Sequence, residues 1–180
     1  MSLPFDLLHM EMVRYGKEKE AVARADYPKE VLEGLDKATS SLVYKALASR
    51  NAETNLESIG LRTGFLLAER LCRDLPRIST ELEIMKFICK EFWISVFGKQ
   101  VDNLRTNHQG VYVVQDNRFP CLTSFSDGTQ YVKDAAIYLC FPCGVVRGAL
   151  QALGIQALVT PTTDQLPSVK FHIHIKTKLT

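Results

Sequence analysis

The residues Cys140-Phe-Pro-Cys143 form the pattern in this chain whose types and spacing come nearest to chemistry. A CxxC with proline ahead of its second cysteine, set between an apolar strand-like run and a helix, copies a thioredoxin-type dithiol, in which a helix N-terminus lowers a thiol pKa and supplies the thiolate nucleophile. Position argues the other way. The chain ends 37 residues after Cys143, too few for the strands and helix such a fold places behind its dithiol, so the plain alternative is a pair of buried thiols ahead of a helix. A thiol–disulfide redox protein using Cys140 and Cys143 stands as the alternative function. The same cysteines with His172 and His174 would complete a Cys2His2 zinc set. Histidines at i, i+2 share a strand face, but that face is the polar one and H-x-H lies outside the usual H-x3–5-H spacing. Alternating polar residues on a solvated sheet face account for both histidines, and neither a metal nor a cofactor is expected.

Other nucleophile and phosphate motifs fare no better. Ser40-Ser41, Ser95 and Ser126 sit in no G-x-S-x-G elbow, and His108 has no motif partner nearby. The sequence holds neither a G-x-x-x-x-G-K-[ST] loop nor a G-x-G-x-x-G fingerprint. The acidic residues take helix caps or exposed helix positions. No catalytic residue is expected, and the chain does not read as an enzyme.

Two glycine pairs carry more information. Gly60 and Gly64, like Gly144 and Gly148, lie one helical turn apart, and an interior helix glycine costs on the order of 1 kcal/mol against alanine. Such a cost implies close approach of another backbone. Two readings follow: tight packing of these two helices on each other, or close packing against a partner subunit. Phe5, Leu8, Met12 and Tyr15 make an apolar stripe on a helix ending near Gly16, too short to be stable alone. It must dock on the body of the protein or on another chain.

These residues need elements to position them. The first half of the chain has the helical period. After the mixed-charge run Lys17 to Glu20, read as a loop or helix end, Pro28 suits a first turn, with Val31, Leu35, Ala38, Leu42 and Leu47 behind it. Thr54 with Glu57, and Thr80 with Glu83, have capping-box spacing. The first helix so opened carries Leu56, Ile59, Leu66, Leu67 and Leu71; the second carries Met85, Ile88, Cys89, Phe92, Trp93 and Val96, and stops at Gly98. Beyond residue 109 the period becomes 2. Gly110 to Val114 and Arg118 to Phe125 read as a hairpin about Asp116-Asn117, and Asp127-Gly128 as another turn. Val145 to Leu153 reads as a helix closed by Gly154. Gln156 to Thr162 and Val169 to Thr177 read as strands, the last with Val169, Phe171, Ile173 and Ile175 facing inward. The fold class is α+β: a helical layer on a small antiparallel sheet. One domain spans 1–180, with 17–54 a lengthened helical segment.

Composition bounds the rest. With 180 residues, 46% hydrophobic and 23% charged, the chain matches an ordinary globular domain. A net charge of +2 provides no basic stripe for nucleic acid and no strong attraction to anionic membrane. No secretory signal is visible at the N-terminus. The longest apolar stretch, Ala135 to Val146, holds Pro142 and Gly144 and falls short of the ~20 residues of a membrane span. Five cysteines, an odd number in apolar surroundings, indicate reduced thiols and a cytosolic or cytosol-facing protein.

Several segments together resemble a known family: Gly60-Leu-Arg62-Thr-Gly64 leading to Glu69-Arg70; Glu83 to Lys90 with Phe92-Trp93; and Leu104-Arg-Thr-Asn-His-Gln-Gly110 running into Tyr112 and Gln115-Asp-Asn117. Phe141, Cys143-Gly144, Arg147-Gly148, Leu153-Gly-Ile155 and Val159-Thr160 follow in the same order. The chain resembles the small subunits of the TRAPP vesicle-tethering complex, the sixth small-subunit type above all, over about residues 56 to 177 plus His9 to Val13. The resemblance implies a helical layer over a four-stranded antiparallel sheet, and a non-catalytic scaffold and dimerisation subunit in ER-to-Golgi transport. It implies pairing through the N-terminal helices with an acyl-bearing sister small subunit, which places partner contacts at Phe5, Leu8, Met12, Ile59 and Leu66. Exchange on a Rab-class GTPase would belong to the whole complex, and membrane attachment would be peripheral, at the cis-Golgi and endoplasmic reticulum. Pro76-Arg-Ile-Ser79, where the sister carries its acylated cysteine, has no cysteine here, so acylation is not expected.

Overall fold

Helix α1 (Leu3–Ala25) is longer than the sequence pattern predicts. It continues past Gly16, and Lys17 to Glu20 are helical instead of a loop, all four being compatible with helix once tertiary contacts hold the element. The Glu20 carboxylate accepts the Ala52 N–H at 3.3 Å, tying the end of α1 to the start of α2 (Ala52–Cys72). The structure, a computed structural model, describes residues 3–25, 51–73, 75–76, 78, 80–107, 110–125 and 128–178. The helix expected behind Pro28, with Val31, Leu35, Ala38, Leu42 and Leu47, lies outside the described residues, as do Ser40-Ser41, His108, Ser126 and Asp127.

The two expected capping boxes part company. Asn51 caps α2, accepting the Glu53 N–H at 3.1 Å, so the helix begins ahead of Thr54 and that box does not form. Thr80 does cap α3 (Glu81–Phe87): its hydroxyl accepts the Glu83 N–H at 3.2 Å while the Glu83 carboxylate accepts the Thr80 N–H at 3.0 Å. Helix α3 runs through a π-helical stretch, Ile88–Phe92, into α4 (Trp93–Phe97), which ends at Gly98 with φ 79°. The wider π turn lets Ile88, Cys89, Phe92 and Trp93 all face the core.

Strands β1 (Asn103–Thr106) and β2 (Val111–Asp116) pair antiparallel, Thr106 opposite Tyr112. The hairpin is therefore upstream of the one expected, and Arg118 to Phe125 is not a strand. The Asp116 carboxylate accepts the Arg118 N–H at 3.0 Å and turns the chain out of the sheet. Pro120, which has no N–H for a ladder, then opens a 3-10 turn over Pro120–Leu122. Helix α5 (Val132–Ala135), a 3-10 turn Ala136–Leu139 and α6 (Cys140–Ala152) follow without a break. The run read as strand-like is thus helical. Phe141 to Val146 are buried all round, which erases any period, and Pro142 sits in the first turn of α6, where no N–H is needed. Val132–Ala152 is a helical run of 21 residues whose most apolar 18-residue window has a mean hydropathy of 1.3, enough by length and composition to cross a membrane; most of that window is buried inside this fold.

Strands β3 (Ile155–Thr162) and β4 (Val169–Lys178) complete the four-stranded antiparallel sheet that the resemblance implies, and its strand order is β1-β2-β4-β3. Its inner face presents Tyr112, Val114, Val159, Phe171 and Ile173, all buried. Trp93 lies 4.7 Å from Phe97 and 5.4 Å from Phe171, ring centre to ring centre, and these fully buried rings with Phe119 join the helices to the sheet. Helix α6 covers the sheet beside β3, α2 packs on α6, and α1 packs on α2.

Candidate partner interface

Helices α2 and α6 meet backbone to backbone. A Cβ on Gly64 would stand 2.0 Å from the Val145 carbonyl oxygen, one on Gly148 2.0 Å from that of Leu61, one on Gly60 2.2 Å from that of Phe141 and one on Gly144 2.1 Å from that of Glu57. The glycine pairs face each other inside the chain, so of the two readings the internal one holds, and these glycines do not meet a partner subunit. The Arg147 guanidinium donates to the Glu57 carboxylate beside this contact. The buried line of α2 is Ala52, Leu56, Gly60, Gly64 and Ala68, small residues except Leu56, instead of the leucine stripe. Turning that line inward leaves Ile59 38% and Leu66 65% exposed.

Helix α1 docks on the body through Phe5, His9, Met12 and Val13. The Phe5 ring lies 6.4 Å from both His9 and Phe141, and His9 lies 5.7 Å from Phe141 and 5.9 Å from Tyr138. His9 is buried, and its pKa is lowered to about 4 because burial disfavours the imidazolium; the Asp6 charge and a hydrogen bond with the Tyr138 backbone oppose this only in part. Val13 is fully buried, Phe5 and Met12 half-buried. A Cβ on Gly16 would lie 3.3 Å from the Ala52 Cβ, so α1 passes close to α2 there.

Of the five sequence-predicted contact residues, Phe5 and Met12 therefore pack on this chain's own core, while Leu8, Ile59 and Leu66 face outward. The structure adds Leu7 and Met10 to them, with Tyr15 from the original stripe also exposed. Leu7 and Met10 were the available signal, since they lie off the Phe5–Met12 stripe and widen the apolar surface of α1 beyond what one docked face uses. Among the described residues, six of the eleven exposed large hydrophobics sit on α1 and α2, a concentration of the kind that marks interaction surfaces.

The two chemical readings do not survive the geometry. Cys140 Sγ lies 3.7 Å from the Ala136 carbonyl oxygen, and the buried Cys143 thiol donates to that of Val159 at 3.1 Å. Both thiols are pushed up to about 12, burial being the first cause and the Glu53 and Glu57 carboxylates adding to it at Cys140. A redox dithiol needs the opposite shift. Cys143 faces the inner side of the sheet, whereas His172 and His174 alternate with the buried Phe171 and Ile173 and so occupy the outer side. The sheet itself separates the cysteines from the histidines.

A sequence model described as "Transport protein particle (TRAPP) component" matches residues 5–176. The chain belongs to the TRAPP component family. Trafficking protein particle complex subunit 6B of Homo sapiens is 50% identical over 139 residues, covering 74% of this chain and 88% of that protein. Subunit 6A of Homo sapiens is 49% identical over 120 residues, covering 67% and 76%. Among the small subunits the chain is thus one of the sixth type, a component of vesicle trafficking. A solved structure, trafficking protein particle complex subunit 3 from Naegleria fowleri covalently bound to palmitic acid, aligns with a TM-score of 0.58 over 85% of this chain and 99% of that one. At 20% identity it establishes the shared fold.

Proposed function

We propose that this chain is a non-catalytic scaffold subunit that dimerises with an acyl-bearing sister small subunit through the outward face of α1 and α2. The observation that carries the reading is the concentration of exposed Leu7, Leu8, Met10, Tyr15, Ile59 and Leu66 on two helices, α2 held against α6 by the glycine contact and α1 docked through Phe5, His9, Met12 and Val13. Leu8, Ile59 and Leu66 meet the partner directly; Phe5 and Met12 act by fixing α1 in place. Rab-class nucleotide exchange belongs to the assembled complex, and membrane attachment comes through the sister's acyl chain, placing this subunit peripherally on the cytoplasmic side of the Golgi and endoplasmic reticulum. The chain is one domain over 1–180, and its lengthened segment, 17–54, takes in the last turns of α1 and the start of α2.

Co-expression with a subunit of the third type, followed by light-scattering mass, tests the reading. A one-to-one heterodimer is expected, and Leu8→Glu with Leu66→Glu should abolish it while each protein stays folded alone. A monomer that ignores the sister sinks the proposal.

A further inference from the structure

The outer face of the sheet, turned away from the helical layer, has a charge pattern that the scaffold reading does not use. Arg105, Val113, His172 and Thr160 lie in one cross-strand row, with His174 and Leu158 beside them in the next. Along β4, Lys170, His172, His174 and Lys176 occupy alternate positions on that face, and none of the outward strand positions of the four strands carries Asp or Glu. A chain with a net charge of only +2 has thus placed three permanent cations and two histidines on one layer. Arg105, His174, Leu158 and Thr160 are exposed. One carboxylate of the chain itself already docks here: Asp164 accepts from Lys170 at 2.9 Å, and that cation holds the Asp164 carboxyl below the usual carboxylate range.

We propose that this face recognises an extended acidic segment of a partner protein, with carboxylates on alternate residues lying along β4. The spacing carries the inference. Alternate residues of an extended chain repeat every ~7 Å, the same repeat that separates Lys170, His172, His174 and Lys176 along their strand. A segment laid parallel or antiparallel to β4 therefore brings successive Asp or Glu side chains over Lys170, His172, His174 and Lys176, with Val113 and Leu158 flanking that line. Charge complementarity of this sort sets orientation and encounter rate. A lipid surface fits less well. Three Lys/Arg side chains attract an anionic bilayer by only about 1 kcal/mol each, and such a surface has no period for the β4 array to read. The free edge of β3 fits less well too, because Pro161 removes a backbone donor from that strand and a bulge at Gln156/Ala157 makes it irregular.

The test uses the full chain and three probes: a 12-residue peptide of alternating Glu and Val, a block peptide of the same composition, and vesicles containing phosphatidylserine. Binding is followed by fluorescence anisotropy and by amide shifts in NMR. The alternating peptide should bind at least five-fold more tightly than the block peptide, weaken with salt, and shift resonances of β4 and β1. Lys170→Glu with Lys176→Glu should weaken it at least ten-fold without altering the circular dichroism spectrum. Asp164→Asn, which releases Lys170, should strengthen it two- to five-fold, a gain that misfolding cannot mimic. Equal binding of the two peptides, shifts confined to α1 and α2, or vesicles retained in preference to the peptide each overturn the proposal. Loss of heterodimer formation is scored separately, since this face lies on the other layer from α1.

Discussion

Replacing Gly64 by alanine tests the backbone contact on which the helical layer depends. In an isolated helix the change would stabilise by about 1 kcal/mol. Here the new methyl would fall 2.0 Å from the Val145 carbonyl oxygen and 2.7 Å from the Val145 Cα. Both are backbone atoms, so no rotamer change relieves the clash, and α2 and α6 must separate locally by more than 1 Å to restore ordinary contact at 3.4 Å or beyond. Overpacking of this kind costs about 1–3 kcal/mol. A radial gap of 0.5–1 Å already forfeits about a quarter to a half of the dispersion energy of the atoms it separates. Taking the upper part of that range and subtracting the helix gain leaves a net loss of about 2 kcal/mol. For a chain of this length that lowers Tm by about 4–8 °C. Thermal and urea unfolding followed by the fluorescence of the single, fully buried Trp93 would measure it. Gly148→Ala, whose methyl would meet the Leu61 carbonyl oxygen at 2.0 Å, should behave alike, and the double variant should lose less than the sum, because one separation relieves both clashes. A rise in Tm for Gly64→Ala, or strict additivity in the pair, would refute the close-contact reasoning.

Three further outcomes follow from buried polar groups and thiols. His9 is held neutral with a pKa near 4 against an ordinary 6.5, so its contribution is complete above pH 6.5 and is lost as pH falls from there toward 4, up to about 3 kcal/mol; urea unfolding at pH 7 and pH 4.5 should show His9→Leu to be much less acid-sensitive than the parent. Asp116 is fully buried and accepts from the Trp93 indole N–H at 3.1 Å, from Lys99 at 2.7 Å and from the Arg118 N–H at 3.0 Å. Asp116→Ala leaves the buried Trp93 indole N–H unpaired and takes an acceptor from Lys99 and from the Arg118 N–H, and should destabilise by about 2–3 kcal/mol in urea unfolding, with a shifted Trp93 emission. Because Cys140 and Cys143 are held near 12, the native protein at pH 8 should alkylate with iodoacetamide far more slowly than the urea-unfolded chain and should reduce no disulfide substrate; rapid native labelling of both would overturn the account of the site.

Much of the scaffold was legible because local chemistry and tertiary demand agreed. Thr80 and Glu83 satisfy the orphan N–H groups of α3 with their own side chains, and Gly98 ends α4 in the left-handed region, φ 79°. Strand β4 alternates because one sheet face is covered and the other is not. Legibility failed where a residue's setting is fixed at long range. Arg118 to Phe125 has a strand-like composition, but β2 is already paired on both edges, by β1 and β4, so the expected hairpin partner is not open to it. The leucines of α2 pointed to a buried stripe, whereas the buried line is chiefly its glycines and alanines. Hydrophobicity ranks single side chains, and the closest helix approach is made where side chains are missing.

The amino-acid sequence by itself determined the α+β class, the helices carrying Leu56 and Trp93, the two C-terminal strands, the glycine pairs as points of backbone approach, and the family resemblance carried by Leu104 to Asn117. Only the tertiary structure decided what those features face. It turned Gly60 and Gly64 toward Gly144 and Gly148 inside the chain, seated Phe5 and Met12 on the core, and left Leu8, Ile59 and Leu66 at the surface. It also set the CxxC and the two histidines on opposite sides of the sheet. Spacing along a chain restricts which residues can share a face; which face becomes interior is settled by contacts between segments far apart in sequence, and those exist only once the helices and the sheet have packed.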